Sequence, residues 1–554
     1  MAADAQSQDP TPSSPAPAVE AGAPPDFPPG VELYRTPYRN WTAELTAPAL
    51  WACAPNSPGQ VVEVVNWAWQ HGWTVRARGA SHGWAPLTIT QGTPPDAPLL
   101  LVDTTAHLTD ATVESIQPGT VRAATGISIE ALLTLLEGSG LGLTASPATG
   151  DITLGGALAI DAHGTAIPAL GEQRPAGHTY GSLSNLIVEL TAVVWDADSG
   201  QYVLRTFQRD ESACAALLTH LGRSLLTEVV LRVGADQRLR CVSRTDIPAT
   251  ELFAAPGSPG RTLESFLDAS GRAEAVWFAF TDRPWLKTWT VSPSRPLLSR
   301  QVTQPYNYPF SDNIPQPVAD LVGTIVANAA WYLAPALGAA EFSATNLGLA
   351  ATLSADIWGR SKNTLLYLKS TTLRYATCGF TVLTTRSQVQ QVVHEFATYY
   401  SQSLDAYASR GRFPVNGQFD VRVTGLDVPA DCGVPGAQAP LLSTLRPDAA
   451  HPAWDTAVWL DVTTLPGTPH AEEFMRELEQ FLFQRYDGTT AQTRVEWSKG
   501  WAYTAAAAWS DQTVIGTQLP AAYGPAQWAQ ASAALDQFDP HRVYSNAFLD
   551  VLLP

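Results

Sequence analysis

The fold is decided by the stretch Arg76-Ala77-Arg78-Gly79-Ala80-Ser81-His82-Gly83-Trp84. A strand-like run over residues 74–78 stops at Gly79, and a loop of small residues follows, with His82 near its centre. Glycine and small residues let backbone N–H groups approach a bound anion closely. A histidine in such a loop has no evident packing role. The stretch therefore predicts either a loop that contacts a ligand or an ordinary surface turn.

Two further loops rich in Gly, Ser and Thr follow strand-like runs, at residues 146–158 and 180–185. In the first, Thr153 is expected to cap a short helix that Gly155-Gly156 opens, although each glycine costs a helix about 1 kcal/mol relative to alanine. That cost makes sense where a ligand or a second backbone comes very close. Loops of this kind that meet at one place can bind a pyrophosphate through main-chain donors.

Several other classes of protein are disfavoured. The chain has neither GxGxxG opening a βαβ unit nor the P-loop GxxxxGK[ST], so a Rossmann dinucleotide site or an NTPase is not indicated. Its five cysteines are scattered without a CxxC pair, so we expect no disulfide framework and no metal site. With a net charge of -18 and only 15% charged residues, the chain is a poor partner for nucleic acid or an anionic membrane. No apolar run is long enough to cross a bilayer.

The composition of the 554-residue chain changes along its length and predicts four segments. Residues 1–30 are an Ala/Pro-rich leader, read as disordered or as the start of a processed, exported form. Residues 31–233 form a binding domain. From about residue 236 Trp, Pro and alternating strands dominate, so residues 234–485 are expected to form a second domain. Residues 486–554 return to the first domain.

The apolar periodicity predicts elements of both kinds, and the fold class is therefore α+β. The predicted helices span residues 61–70, 129–137, 325–337 and 471–483. The predicted strands span residues 74–78, 99–103, 121–124, 186–194, 202–206, 225–233, 274–280, 376–384, 420–425 and 457–463.

Taken in order, the motifs resemble the flavin-binding domain of the vanillyl-alcohol oxidase superfamily. The resemblance rests on residues 78–83, 153–156, 162–164 and 181–182 and covers roughly residues 40–233. It implies a two-lobed FAD-binding domain of the PCMH type, in which His82 is linked covalently to the flavin 8α-methyl group. The cofactor contacts that it implies fall on Arg78, Gly79, Ala80, Ser81, His82, Gly83, Trp84, Pro147, Thr149, Gly150, Asp151, Thr153, Leu154, Gly155, Gly156, His163, Gly164, Gly181, Ser182 and Asn546.

Over nearly the whole chain the sequence is most similar to the covalent-FAD (type II) cholesterol oxidases. The similarity includes Tyr38-Arg39-Asn40-Trp41, Val276-Trp277-Phe278, Pro284-Trp285-Leu286-Lys287 and residues 545–550. It implies a substrate-binding cap domain with a large, mainly antiparallel sheet flanked by helices. It also implies oxidation of 3β-hydroxysterols by O2 to H2O2 and a 3-ketosteroid, which becomes cholest-4-en-3-one after isomerisation. We expect a secreted or extracytoplasmic bacterial monomer that touches a membrane surface at most transiently.

The chemistry of such an oxidation needs a base for the hydroxyl proton and a cation beside the reduced flavin. Asp420-Val421-Arg422 meets this need, because side chains at i and i+2 of a strand share a face. The resemblance implies Glu-x-Arg here, and Asp420 is one methylene shorter. Lys499 is a second candidate cation, and its stretch 496–499 resembles the His-Trp-Gly-Lys of aldonolactone and alditol oxidases, with Glu496 in the place of His.

Two further carboxylates are catalytic candidates. Asp461 lies in an apolar strand-like run and faces either solvent or a site. Glu274 begins a strand whose own face is apolar, so it is either an acid/base group with a raised pKa or a strand-end residue in solvent. Glu264 and Glu341 are its competitors.

The substrate side of the sequence is aromatic. Residues 276–310 and 331–342 supply the Trp, Tyr and Phe side chains that a rigid apolar sterol needs around it, although some of them will be core. A sugar or alditol oxidase on the same scaffold is the alternative enzyme, but it would need many polar groups in its pocket. A flavin-free binding protein that keeps the fold is the alternative outside the enzymes.

Overall fold

The computed structural model describes residues 23–312 and 315–554, so residues 1–22 of the predicted leader lie outside the described residues. The strands are β1 (Glu32–Arg39), β2 (Thr46–Ala54), β3 (Thr74–Arg78), β4 (Leu99–Asp103), β5 (Ala111–Ile116), β6 (Gly119–Ala124), β7 (Leu141–Gly142), β8 (Ile187–Asp196), β9 (Gln201–Gln208), β10 (Leu225–Arg232), β11 (Gly234–Ala235), β12 (Arg238–Arg244), β13 (Arg272–Phe278), β14 (Trp285–Val291), β15 (Arg300–Gln301), β16 (Asp356–Arg360), β17 (Ala376–Thr384), β18 (Gln418–Gly425), β19 (Thr456–Thr464) and β20 (Gln492–Val495).

The helices are α1 (Pro58–His71), α2 (Ile129–Gly138), α3 (Leu154–Ala159), α4 (Ala249–Leu252), α5 (Leu263–Ser270), α6 (Pro309–Asp312), α7 (Gln316–Asn328), α8 (Ala334–Ala351), α9 (Ser361–Leu365), α10 (Val389–Ala408), α11 (Ala471–Arg485), α12 (Leu519–Tyr523), α13 (Pro525–Phe538) and α14 (Ala547–Leu552). Among these described residues, no helix is long and apolar enough to cross a bilayer.

The first lobe is a four-stranded sheet in the order β1-β2-β4-β3, in which β4 runs parallel to both β2 and β3. Helix α1 covers it. The side chain of Ser57 accepts a hydrogen bond from Gln60 N at the start of this helix, and Gly72 ends it in the left-handed conformation. The predicted helix at residues 61–70 is thus confirmed. The strand pairing places the loop after β3 at one edge of the lobe.

The second lobe is a five-stranded antiparallel sheet in the order β5-β6-β10-β8-β9. Helix α2 starts after Ser128, whose side chain accepts from Ala131 N, and α3 starts after Thr153, whose side chain accepts from Gly156 N. Both N-caps agree with the sequence prediction. Part of the C-terminal segment packs back on the first lobe, where Val543 and Tyr544 join its core and Asp539 accepts a hydrogen bond from Tyr202. Its strand β20, however, pairs with β17 in the large sheet of the second domain, so not all of residues 486–554 return to the first domain.

The second domain is built on a nine-stranded sheet in the order β15-β16-β12-β14-β13-β18-β19-β17-β20. All its pairings are antiparallel except that of β15 with β16. Helices α10 and α11 pack against it, and Phe396, Phe419 and Phe474 share their core. The predicted fold class, with a large and mainly antiparallel sheet flanked by helices, is confirmed.

Two predicted elements are wrong in their extent. The strand predicted at residues 274–280 ends at Phe278, because Phe280 takes a positive φ of 63° in a turn. The helix predicted at residues 325–337 is two helices: α7 ends where Ala329 adopts the left-handed conformation, and α8 begins with a proline in its first turn. Proline has no N–H and therefore suits the start of a new helix. The sequence reasoning also left β1, β2, β12, β14 and α10 unassigned.

Candidate active site

A cleft with a volume of about 310 Å³ opens beyond the end of β3. Its walls come from the loop after β3, from residues 147–163, from residues 220–226 ahead of and within β10, and from residues 496–499 with Arg422 of the second domain. The cleft therefore lies where the two lobes of the first domain meet the large sheet.

The glycines of these loops let the loops pack against each other. A Cβ on Gly79 would lie 2.1 Å from the Oγ1 atom of Thr153, and one on Gly155 would lie 2.9 Å from Cβ of Thr125. Gly155 also donates its N–H to the carbonyl of Thr125 at 2.7 Å. Gly83 is different, because the position of its missing Cβ is open. Close approach of a second chain segment, which the sequence left as one option, thus accounts for Gly79 and Gly155.

His82 lies on the wall of the cleft in a rigid setting. Its ring stacks on that of Trp41, with centroids 3.9 Å apart and an interplanar angle of 28°. The buried Nε2 atom has no hydrogen-bond partner among the described residues. Burial lowers the pKa of His82 to about 4, so the imidazole is neutral at pH 7. A neutral ring with an unpartnered nitrogen, on a residue that lines a cleft, is a suitable attachment point for a ligand.

Twelve of the predicted cofactor contacts line this cleft. They are Gly79, Ala80, Ser81, His82, Gly83, Trp84, Pro147, Thr149, Thr153, Gly155, Gly156 and His163. The ring of His163 stacks on that of Trp459 at 3.6 Å, and burial lowers its pKa to about 3. His82 and His163 are thus two neutral histidines of the cleft that each stack on a tryptophan.

Eight predicted contacts do not line the cleft, and each has another neighbour in the protein. Arg78 donates to the hydroxyl of Thr36, and Ser182 donates to Asp427 through both its N–H and its hydroxyl. The side chain of Asn546 caps α14. The other five are Gly150, which lies against Glu130 and Leu366; Asp151, which accepts from the N–H of Ser370; Leu154, which is core; Gly164, which lies against Ser146; and Gly181, which lies against Asp427.

The sequence reasoning missed several wall residues. Arg76 lies in the wall instead of Arg78 and donates to the carbonyl of Gly222. Residues 220–224 form another cleft-lining loop with His220 and Gly222, just before β10. Gly222 and Ser224, directly ahead of a strand, were the available signal.

Four charged side chains form a cluster at the end of the cleft nearest the large sheet. Arg422 pairs with Asp461 and lies 3.4 Å from Glu496. Lys499 lies 3.4 Å from Asp461 and 3.7 Å from Glu496, with its Nζ atom 4.6 Å from the centre of the Trp84 ring. Asp461 therefore faces a site rather than solvent, and Lys499 is not a solvated surface lysine.

The two carboxyl groups of the cluster differ in how readily they take up a proton. Burial opposes the charge of Glu496, but Lys499 and Arg422 outweigh it and lower its pKa, so Glu496 stays ionised. Burial first, and then the neighbouring Glu496, raise the pKa of Asp461. Asp461 is therefore the carboxyl that takes up a proton first, and that protonation would leave two cations against one anion.

A second cavity, of about 140 Å³, lies along the large sheet next to the cleft. Leu368 lines both spaces. Its walls are aromatic and aliphatic, with Val276, Phe278, Trp285, Tyr308 and Phe310 among them, and its polar residues include Asp420, Glu274 and Glu341. An apolar cavity with few polar groups fits a mostly apolar ligand.

Glu274 and Asp420 differ in how they are held. The carboxylate of Glu274 lies 2.6 Å from Lys287 and accepts a hydrogen bond of 2.5 Å from Tyr367. Neither of the two options for Glu274 holds: its side chain is buried rather than in solvent, and although burial would raise its pKa, Lys287 and Arg422 lower it overall. Asp420 has no ion-pair partner among the described residues, its Oδ1 atom is unpartnered, and burial raises its pKa to about 7.

The residues of the first cleft fit an FAD molecule. Small-residue loops form one wall, His82 with its unpartnered Nε2 atom belongs to another, and the cations Arg422 and Lys499 close one end. Among the described residues no group of three His, Cys, Asp or Glu side chains could hold a metal ion. The donor set is that of an organic, partly anionic cofactor.

Comparison with known families supports this assignment. A sequence model of the FAD-binding domain matches residues 49–198, so the chain is a flavoprotein. A model of the substrate-binding domain of cholesterol oxidase matches residues 238–554, more than half of the chain. The chain belongs to the cholesterol oxidase family.

Solved structures of the same family superpose closely. A structure described as a solvent-stable cholesterol oxidase is 50% identical with a TM-score of 0.94, over 96% of this chain and 100% of its own. The cholesterol oxidase of Brevibacterium sterolicum is 45% identical with a TM-score of 0.93, over 96% of this chain and 99% of its own. A histidine-to-alanine variant of that oxidase gives 44% identity with the same TM-score. Comparison with curated protein sequences found no match.

Proposed function

We propose that the chain oxidises the 3β-hydroxyl group of cholesterol and related sterols with O2, forming H2O2 and a 3-ketosteroid. The observation that carries this proposal is the position of β18. Its Arg422 lines the cofactor cleft, while Asp420, two residues away on the same strand face, lines the aromatic cavity beside it. A substrate hydroxyl at this junction has a proton acceptor on one side and a cofactor site on the other.

Asp420 is proposed as the group that takes the hydroxyl proton. Its Oδ1 atom is buried without a partner, and its pKa of about 7 is close to the pH at which a general base works best. When FAD is bound, it supplies the acceptor for the hydride that leaves the carbon atom bearing this hydroxyl group. The apolar walls formed by Val276, Phe278 and Trp285 exclude water from this transfer.

Arg422 and Lys499 are proposed to stabilise the negative charge that builds up at the cofactor. Asp461 and Glu496 hold both cations in place through the four contacts of the cluster. We propose that Glu274, which pairs with Lys287, orients the guanidinium group of Arg422. Glu274 and Arg422 lie directly opposite each other on the paired strands β13 and β18. These residues are in place before the reaction begins, so their charges can stabilise the negative charge as it develops.

We further propose that His82 carries the FAD covalently, and that the product is isomerised to the 4-en-3-one. The neutral His82 ring with its unpartnered Nε2 supports the first point. For the second, Asp420 is the available group to move a proton from C4 to C6 once it has released the hydroxyl proton.

The reaction is tested by mixing the enzyme anaerobically with cholesterol while the flavin absorbance is recorded. Bleaching with cholesterol, and none with sorbitol or xylitol, is the expected result, because the cavity is walled by aromatic side chains. Bleaching by the polyols alone would favour the alditol oxidase alternative. A colourless protein that forms no peroxide from any alcohol would leave only the binding-protein alternative.

The pH dependence of flavin reduction tests Asp420. A base must be deprotonated to act, so the rate should rise with pH and level off above about 7, the pKa of this carboxyl. In Asp420→Asn the rate should fall and this rise should disappear. Thr345→Val, a change elsewhere in the same cavity wall, is the control and should keep the rise. A pH profile unchanged in Asp420→Asn would assign the base to another group.

We also propose that the protein is a monomer that acts outside the cytoplasm and touches membranes only transiently. Leu297 and Leu298 are 93% and 89% exposed and could make such a contact. The net charge of -18 opposes lasting adhesion to an anionic bilayer. Light scattering on the purified protein, with and without anionic vesicles, measures both the mass and the adhesion.

A further inference from the structure

Glu341 is a buried carboxyl group that the proposed oxidation does not use. It lies on α8, lines the aromatic cavity, and accepts a hydrogen bond at Oε1 from the hydroxyl of Tyr375. Its Oε2 atom is buried and has no hydrogen-bond partner among the residues that the structure describes. A buried polar atom without a partner is unfavourable, so its presence in a binding cavity calls for a ligand atom.

The position of Glu341 is set by the strands below it. Along the cavity face of β18 and β13, the pair Arg422–Glu274 lies at the cofactor end and the pair Gln418–Phe278 at the other. Four residues of strand separate these pairs, a span of about 13 Å. This span is comparable with the length of a four-ring steroid nucleus.

Helix α8 rests on the far end of that span. A Cβ on Gly338 would lie 2.0 Å from the carbonyl oxygen of Ala279, the residue that follows Phe278. Glu341 is three residues further along α8 and therefore on the same helix face as Gly338. The carboxyl group thus lies toward the end of the cavity that is distant from Arg422.

We propose that Glu341 and Tyr375 form a polar subsite that binds a second oxygen of the substrate, at the end of the steroid remote from the oxidised hydroxyl. The class of ligand is a 3β-hydroxysteroid with a hydroxyl or keto group on its far ring. This inference rests on the proposed sterol oxidation and specifies which sterols the cavity favours.

The protonation of the pair suits such a ligand. Burial raises the pKa of Glu341 to about 8, so the carboxyl is mainly neutral at pH 7 and can donate a hydrogen bond. Burial first, and then Glu341, raise the pKa of Tyr375, which keeps its proton for the bond to Glu341. A neutral acid both donates and accepts, and so can bind either a ketone or a hydroxyl oxygen.

The test compares two steroids that differ in one oxygen, androst-5-en-3β-ol and androst-5-ene-3β,17β-diol. Anaerobic stopped-flow mixing gives the dissociation constant and the flavin reduction rate for each. The wild type should bind the diol roughly tenfold more tightly, because only the diol satisfies the unpartnered oxygen. Equal binding of the two steroids by an active wild-type enzyme would overturn the subsite without the use of any variant.

Variants then assign the effect to Glu341. Glu341→Leu should abolish the preference for the diol. Glu341→Gln, which still donates and accepts, should retain part of the preference. Leu347→Ala, at an exposed residue of the same helix, is the control and should behave as the wild type.

The other outcomes are also decisive. If Glu341→Leu slows reduction by both steroids equally, Glu341 takes part in proton transfer and the subsite is refuted. If neither steroid nor cholesterol reduces the wild-type flavin, the proposed oxidation itself is wrong. Equal binding of the two steroids by an active enzyme would instead refute only the subsite.

Discussion

Replacement of Arg422 by alanine is expected to slow the reduction of the flavin by cholesterol by about 10²-fold or more. Arg422 is the residue of β18 that lines the cofactor cleft, and it belongs to a cluster in which two carboxyls balance two cations. Its loss would leave Asp461 and Glu496 facing Lys499 alone. The site would then oppose the negative charge that the reaction delivers to the cofactor.

The size of the effect follows from the burial of the cluster. Asp461 has a side chain that is only 2% exposed and Glu496 one that is 11% exposed, so solvent screens their charges weakly. Removal of one partner from a buried ion pair leaves an uncompensated charge, which also destabilises the fold. We therefore expect a lower midpoint potential of the flavin and a lower melting temperature together with the slower reduction.

Lysine at position 422 separates charge from geometry. Arg422→Lys keeps the positive charge but contacts the two carboxyls through one nitrogen rather than a planar fork, so it should restore the potential more completely than the rate. Arg261→Ala is the control, since Arg261 pairs with Glu251 on the surface. The measurement is stopped-flow reduction at matched flavin content. A rate for Arg422→Ala close to that of the wild type would place the charge stabilisation on Lys499 instead.

Local sequence was sufficient for the elements that surround the cleft. Thr153 and Ser128 cap their helices as expected, and β3 and β4 have the predicted bounds, because these features depend on neighbours within a few residues. Two of the three predicted small-residue loops, those at residues 79–84 and 147–156, line the cofactor cleft, whereas the loop at residues 180–185 does not. What the loops could not show is which residues face the ligand.

The errors arise where the chain makes distant contacts. Arg76 rather than Arg78 lines the cleft; the two residues share a strand face, but Arg76 is held there by the carbonyl of Gly222, 146 residues away. Ser182 donates a hydrogen bond to Asp427, 245 residues away, and is therefore part of the core. The pKa of Glu274 is lowered because strand pairing puts Lys287 opposite it. No local pattern contains these pairings.

Replacement of His82 by alanine is expected to abolish covalent attachment of the flavin. After acid precipitation, the wild-type pellet should be yellow, while the His82→Ala pellet should be colourless and its flavin should appear in the supernatant. The physical reason is that His82 lines the cleft with a neutral ring that has an unpartnered nitrogen and stacks on Trp41.

His163→Ala is the matched control for this change. His163 is the other neutral histidine stacked on a tryptophan in the cleft, so its loss costs a similar ring contact. Its Nδ1 atom, however, is 2.8 Å from the carbonyl oxygen of Gly164, a neighbouring residue. We expect the His163→Ala pellet to stay yellow. A colourless pellet from His163→Ala together with a yellow one from His82→Ala would move the attachment to His163.

The tether should also matter for stability and for redox chemistry. A bound ligand stabilises the folded state by about 2.7 kcal/mol when its concentration is one hundred times its dissociation constant, and a covalent ligand never dissociates. The melting temperature of His82→Ala should therefore depend on added FAD, whereas that of the wild type should not. We also expect a less oxidising flavin in the variant. Melting temperatures that rise with added FAD in both proteins, with a colourless wild-type pellet, would show that the wild type holds the cofactor without a covalent bond.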